Sequence, residues 1–441
     1  MASSAKEHTT HRNSFDELGC EVVGRIFSNL PPFSLAYCSA VCSSFHDVII
    51  SAPHLWRSAY SLDHRRLNSG RFPKPASSIP LENVEKDENG EDENKEGEEE
   101  QEKTVDFRTW FIEEEQKTRL ASGSASAFQW RAHHGRVNCC RMVMGEVLSG
   151  SSDGTVKEWS AGKTGQLQCG AIYKVPEKAP VVQVEFDGNK VMGAAGKEVF
   201  VWSRTGNSRK LLKRMGGQMD ISSLCVADSD LAMGCLDGTV RVYDLYSSRC
   251  TQMFRNHTEP VKGVVMDMAT QLMASGSSDG TVQLFDAKCG RKIVSLLRPP
   301  SSTGISCLHA SPLGHKLFAG STGGVLYCFD LRSYKTLWNI RVRNALTCMD
   351  GPSYSSSVIG VGGIDGAVKV LEVESRKQIA SFQVKPPRLS SSPVLGMALG
   401  MTKIISCHAD WNLVRWQLGE SDSSVGDYHF GRTVVKTLES S

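Results

Sequence analysis

The chain has 441 residues, 40% hydrophobic and 22% charged, with 50 Lys/Arg against 48 Asp/Glu. That length permits two or three domains of about 100 to 200 residues each, and the lack of any run of roughly 18 apolar residues excludes a membrane-spanning helix. The balanced total hides a division: residues 1–120 hold 14 Lys/Arg and 22 Asp/Glu, whereas residues 121–441 hold 36 and 26.

Residues 1–12 are polar, read as disordered, and lack the apolar stretch of a secretory signal. The expected location is therefore cytoplasmic, nuclear or both, with reduced thiols. From 13 to 60 the pattern turns helical. Leu18, Val22, Val23, Ile26, Phe27 and Leu30 recur at three- and four-residue steps before Pro31, as in an amphipathic helix. A second helix is expected over 34–43, with Ser34 as N-cap and Leu35, Cys38, Val41 and Cys42 along one stripe. A third begins near Phe45 and stops before Pro53, followed by Leu55 and Trp56. So short a unit buries little surface by itself, and its surplus apolar positions call for a protein partner.

The stretches LGCEVVGRIFSNL, VCSSF and PHLW resemble the F-box family, whose first helix opens LPxEVLxxIFSxL and whose later part carries VCxxW and PxLW. Gly19, Ser34 and Phe45 depart from that pattern. The resemblance implies docking to the Skp-type adaptor of a cullin scaffold, through Leu18, Val22, Val23, Ile26, Phe27, Leu30, Leu35, Val41, Cys42, Phe45, Leu55 and Trp56.

A linker is expected over 61–104. Between Glu82 and Glu102 it holds twelve acids and two lysines, and self-repulsion predicts disorder there. Residues 105–120, VDFRTWFIEEEQKTRL, put Phe107, Trp110, Phe111 and Ile112 ahead of a Glu-to-Lys/Arg pattern, which predicts a helix; it resembles the stalk helix that follows the F-box in proteins of that family, which implies a spacing role.

Most of the remainder, 121–437, is one unit repeated. SGSSDGTVKEW at 149–159 returns as SGSSDGTVQLF at 275–285. Aligning the closing residues Trp159, Trp202, Tyr243, Phe285, Phe329, Leu371 and Trp416 gives steps of 43, 41, 42, 44, 42 and 45. A period of about 40 to 45 residues is that of β-propeller blades. The expected fold is mainly β, a seven-bladed propeller behind a small helical domain, and the DG turns and closing aromatics resemble the WD-repeat family. In that family each repeat supplies the outer strand of one blade and the three inner strands of the next. The first outer strand must then come from Ala125 to Trp130, or from Tyr428 to Val435 at the other end.

By the same resemblance His133 and His257 match the histidine that bonds the turn acids Asp153 and Asp279, and Ser149 or Ser151 with Trp159 completes a network. The trio His, Asp, Ser is also that of a hydrolytic triad. Its recurrence from blade to blade reads instead as satisfaction of buried polar groups. Asp237, Asp365 and Asp410 repeat the acid with no histidine at that position. The fourteen cysteines form neither CxxC pairs nor Cys/His clusters at zinc spacing, so neither metal nor cofactor is expected.

The connections between outer and inner strands carry Arg136, Lys178, Arg214, Arg255, Arg298, Arg343 and Arg388, with Lys262 nearby. These are the candidate contacts to an acidic substrate. The connectivity places their face away from the stalk's entry and the F-box. Phosphopeptide-reading relatives place arginine just before the turn acid, where this chain has Ser152, Ala195, Leu236, Ser278, Thr322, Ile364 and Ala409. Scattered bases with no aromatic platform argue against nucleic acid. The function implied is non-catalytic: the substrate-recognition subunit of a Skp–cullin–F-box ubiquitin ligase, binding an unknown protein target. The alternative is a WD-repeat scaffold, or a receptor for a different cullin adaptor through Phe329-Asp330-Leu331-Arg332.

Overall fold

The computed structural model describes residue 113, residues 116–418 apart from 123–124, 144, 162–166, 187–188, 205–208, 228, 268–270, 298–302, 312–314, 353–355 and 385–391, and the strand 433–437. The residues expected to form the disordered start, the F-box and the acidic linker, with Arg298, Arg388 and residues 105–112 of the stalk, lie outside this set. Residues 115–441 make one compact unit.

Seven sheets build that unit, six antiparallel ones of four strands and a mixed one of five. In the first blade the strands run Val137–Val143, Glu146–Ser151, Thr155–Ala161 and Leu167–Lys174, called a to d from the axis outward. The other inner strands are Val181–Phe186, Ile221–Ala227, Val261–Asp267, Ile305–Ala310, Leu346–Asp350 and Val394–Leu399. Middle strands are covered on both faces, so Val147 to Ser151 is buried at every residue. Outer strands alternate, and Leu167–Lys174 buries only Ala171 and Tyr173. This is the patterning of a sheet sandwiched between neighbours with one wet edge.

The core lies between blades. Leu148, Val156 and Tyr173 of the first pack with Val184, Phe200 and Trp202 of the second. Glycine in strand b permits that approach: a Cβ on Gly150 would stand 2.6 Å from Val181 Cγ1 of the next blade.

Every inner strand breaks register between its first and third residues, a bulge that re-aims the second side chain. Asn138 Nδ2 thereby donates to Val181 O at 2.7 Å, and the Ser222 and Thr347 hydroxyls reach Val261 O and Val394 O. Neighbouring blades are therefore bonded at the axis as well as packed.

The seventh blade closes the ring with the amino-terminal strand Ala125–Arg131, antiparallel to Asn412–Leu418 with Ala127 opposite Trp416. The carboxy-terminal strand Thr433–Thr437 adds outside it, parallel, as a fifth member. Segments from both sides of the repeats therefore join the blade, in different places. Residues 116–121 are helical, and this segment is pinned to the side bearing the a-to-b and c-to-d turns. Gln116 Nε2 donates to Gly400 O at 3.1 Å, Lys117 meets Glu372 at 3.1 Å, and Leu120 is fully buried against Phe382 and Trp416.

Candidate binding face of the propeller

The b-to-c turns and the d-to-a connections share one face. The turn acids there are held inward. Asp153 Oδ1 accepts Thr155 N at 2.9 Å and Oγ1 at 2.6 Å, and Oδ2 accepts His134 N at 3.0 Å and the His133 ring at 3.2 Å. Burial alone would raise its carboxyl; these bonds and the nearby imidazole outweigh burial and hold it low. Asp279 repeats the arrangement with Thr281, Thr258 and His257.

His133 Nε2 stands 2.7 Å from Ser149 Oγ, which also accepts Trp159 Nε1–H at 2.8 Å. In atom order this is the layout of a hydrolytic triad. Yet Ser149 is fully buried and its oxygen is already bonded twice, so no acyl group can reach it. Burial depresses His133 to about 4, against the pull of Asp153. The neutral ring then gives Nδ1–H to Asp153 and accepts the Ser149 hydroxyl proton at Nε2. In the fourth blade His257 bonds Ser275 at 2.7 Å, and Phe285 supplies no indole donor.

In the seventh blade no hydrogen bond joins Asp410 to a histidine among the described residues, yet the buried serine there still has a histidine partner. His408 comes from strand b itself, Lys403–His408. Its Nε2 lies 3.0 Å from Ser406 Oγ, which accepts Trp416 Nε1–H at 2.9 Å, and its Nδ1 lies 3.2 Å from Ser392 O. The sequence signal was Ser406-Cys407-His408 in place of Ser-Gly-Ser.

Five of the candidate bases stay open on this face. Arg136 and Arg343 are exposed in d-to-a connections, Lys178 ends the short turn Pro176–Lys178, and Arg255 is the last residue of the outer strand Cys250–Arg255. Lys262 is exposed as the second residue of its inner strand, beside the axial cavity. Arg214 is different: it sits within the outer strand Leu211–Gly216. Its Nε is 2.6 Å from Glu198, Nη2 is 3.5 Å from Glu177, and the guanidinium lies 5.6 Å over the Phe200 ring. That side chain is committed within the fold.

Four large apolar side chains share the face: Met219, Leu236, Ile364 and Trp411. Trp411 is 43% exposed, and its φ of 73° is left-handed. A residue with a Cβ gives up about 1–2 kcal/mol in that conformation.

The inner strands surround an axial cavity of about 690 Å³. Four polar side chains converge there, each the fifth residue of its strand. Arg141 Nε lies 3.2 Å from Glu185, Arg141 Nη1 3.5 Å from Asp350, and His309 Nδ1 3.6 Å from Asp350. Asp350 Oδ2 also accepts Leu399 N at 2.9 Å. Glu185 is raised by burial against the pull of Arg141, and His309 is lowered by burial. Cys225 and Cys307 line the same cavity, both pushed up to about 12 by burial. Thiols raised so far stay protonated at neutral pH. No cluster of three or more metal-ligating side chains occurs among the described residues.

On the opposite face, Phe329 and Leu331 are buried. Asp330 caps the turn to Arg332 N at 3.0 Å and Ser333 Oγ at 2.7 Å. Of that tetrapeptide, exposure is left to Arg332.

Comparison with known proteins adds what the described residues leave out. Residues 16–61 match the F-box-like family, and residues 119–160 and 248–286 match the WD domain, G-beta repeat. An F-box/WD-40 repeat-containing protein of Arabidopsis thaliana is 27% identical over 403 residues, covering 86% of this chain and 82% of that protein. The guanine nucleotide-binding protein subunit beta of Oryza sativa subsp. japonica is 26% identical over 178 residues, 37% of this chain and 47% of that one. The DENN domain and WD repeat-containing protein SCD1 of Arabidopsis thaliana is 28% identical over 161 residues, 35% of this chain and 13% of that one.

Proposed function

We propose that this chain, an F-box/WD-repeat protein, is the substrate-recognition subunit of a Skp–cullin–F-box ubiquitin ligase, acting in the cytoplasm, the nucleus or both. Its F-box docks the Skp-type adaptor through the apolar set from Leu18 to Trp56. The propeller holds a target protein on the face of the b-to-c turns. The observation that carries this reading is the division of labour in one chain. An F-box-like match occupies residues 16–61, and behind it the closed propeller keeps its His–Asp–Ser networks buried while leaving bases and large apolar side chains open on one face. The chain's own contribution is tethering. Holding target and ubiquitin-transfer machinery in one assembly makes their encounter intramolecular, at an effective concentration in the millimolar range for short linkages.

The test is co-purification from cells expressing the intact chain or Val22→Asp/Ile26→Asp. The paired substitution puts charge on the apolar stripe. It is expected to remove adaptor and cullin while retaining propeller-bound proteins. Retention of adaptor and cullin by the variant contradicts the F-box docking. Loss of the ligase on Arg332→Ala alone shows recruitment through the tetrapeptide at 329–332 instead.

A further inference from the structure

In the first, third, fourth, fifth and sixth blades the left-handed residue of the b-to-c turn is glycine: Gly154, Gly238, Gly280, Gly324 and Gly366, with φ between 73° and 80°. The seventh blade adopts the same conformation, φ 73°, with Trp411. The backbone has been kept and the residue suited to it replaced by the largest side chain available.

Core packing does not account for the replacement. Trp159, Trp202 and Trp416 are 6%, 2% and 0% exposed, whereas Trp411 is 43% exposed. Among the described residues its ring contact is the exposed Arg131, whose guanidinium lies 4.7 Å from the ring centroid. Strain held at an exposed aromatic points to a task outside the fold, and aromatic and arginine side chains are the usual anchors of interfaces.

The surroundings define what would bind. Trp411 O accepts Ala132 N at 3.2 Å, which ties the turn to the connection carrying Arg136. On the adjoining sixth blade Ile364 is 52% exposed, and its N–H is bonded to Ala345 O at 3.2 Å, two residues from Arg343. Arg131, Arg136 and Arg343 are exposed and enter none of the ion pairs among the described residues. The turn acid Asp365 beside them is occupied by Asn344 at 2.8 Å and Lys369 at 3.1 Å. The sector therefore offers exposed apolar side chains beside three guanidinium groups that enter no ion pair among the described residues, against one exposed turn carboxylate, Asp410, which accepts Asn412 N at 3.4 Å.

We infer that this sector of the sixth, seventh and first blades receives an acidic peptide segment carrying one large apolar side chain. The apolar side chain packs on Trp411 and Ile364, and flanking carboxylates meet Arg131, Arg136 and Arg343. Built on the receptor reading, this names the class of segment the target presents.

The test is selection of a random twelve-residue display library on the full-length chain, followed by fluorescence anisotropy of the winning sequence as a labelled synthetic peptide. Selected sequences should combine several Asp/Glu with Leu, Ile, Phe or Trp. Trp411→Gly should weaken the labelled peptide at least tenfold, and Arg131→Glu/Arg136→Glu should weaken it as much and flatten its salt dependence. Trp411→Gly should melt at the same temperature as the parent or higher, since glycine fits the turn. Basic or wholly polar winners, binding to Trp411→Gly within twofold of the parent, a lower melting temperature for that variant, or self-association abolished by it would each overturn the inference. Adaptor co-purification is measured on the same two proteins. A parent that binds no adaptor defeats the receptor reading and leaves the peptide result standing, whereas peptide failure with adaptor retained defeats this inference alone.

Discussion

Ser149→Ala removes one hydroxyl shared by two buried side chains. Ser149 Oγ accepts the Trp159 indole N–H at 2.8 Å and donates to His133 Nε2 at 2.7 Å, while His133 Nδ1–H is held by Asp153 at 3.2 Å. Ser149 is 0%, His133 2% and Trp159 6% exposed, so water cannot take the place of the hydroxyl. Alanine leaves one donor and one acceptor stranded, each costing about 1–3 kcal/mol. Partial relaxation brings the expected loss to roughly 2–4 kcal/mol. Pairing it with Trp159→Phe removes the stranded donor, as Phe285 does in the fourth blade. The double variant should therefore be more stable than the sum of the single losses predicts, by about 1 kcal/mol or more. Urea unfolding followed by circular dichroism reads these differences as midpoint shifts at constant slope. A loss below about 0.5 kcal/mol for Ser149→Ala, the ordinary range of surface substitutions, or strict additivity with Trp159→Phe, would refute the relay.

Acid should destabilise the propeller through its histidines. His133 is depressed to about 4 from an ordinary 6.5, and His257, His309 and His408 are also lowered, in each case by burial. The folded state thus binds fewer protons than the unfolded one, and the stabilisation present above pH 6.5 is lost as pH falls toward 4. Urea titrations across that window should show a slope of about 1.4 kcal/mol per pH unit for each proton taken up on unfolding, and a flat profile would contradict the neutral-ring assignment. Arg141→Met leaves Glu185 and Asp350 facing each other without their cation. Because Arg141 is 43% exposed to the cavity, the expected cost is about 2 kcal/mol, below the roughly 3–5 of a fully buried pair. Urea midpoints at pH 8 and 5 should show that loss shrinking at the lower pH, where Glu185 can take a proton; an equal loss at both would count against carboxylate repulsion. Deleting residues 1–131 removes the strand opposite Asn412–Leu418 and should abolish the cooperative calorimetric transition, whereas deleting 419–441 should preserve it. The reverse outcome would place closure at the carboxy end.

The ring was legible because its signal is periodic: seven closing residues at steps of 41 to 45 leave little freedom in strand count or blade number. The polar networks of blades one and four were legible because histidine, serine and acid all fall within one repeat. What escaped was whatever depends on position across the ring. Arg141, Glu185, His309 and Asp350 come from four inner strands, and their meeting depends on ring radius and strand tilt. Arg214 reads as a loop base until its strand assignment brings Glu198 and Phe200 beside it. His408 was hidden because it fills the network from the serine's own strand, two residues beyond Ser406. Trp411 was visible as Asp-Trp where four other repeats have Asp-Gly; its meaning rests on a positive φ and an exposure that the alignment of repeats does not carry.

The most direct test of the receptor account is turnover. Proximity labelling with the Val22→Asp/Ile26→Asp chain identifies proteins held by the propeller, and pulse-chase then measures their half-lives in cells carrying the intact chain or the variant. The account predicts that at least one captured protein decays faster with the intact chain, that its decay is slowed by the variant, and that Trp411→Gly both releases and stabilises it. Identical half-lives for every captured protein in all three backgrounds would contradict the account.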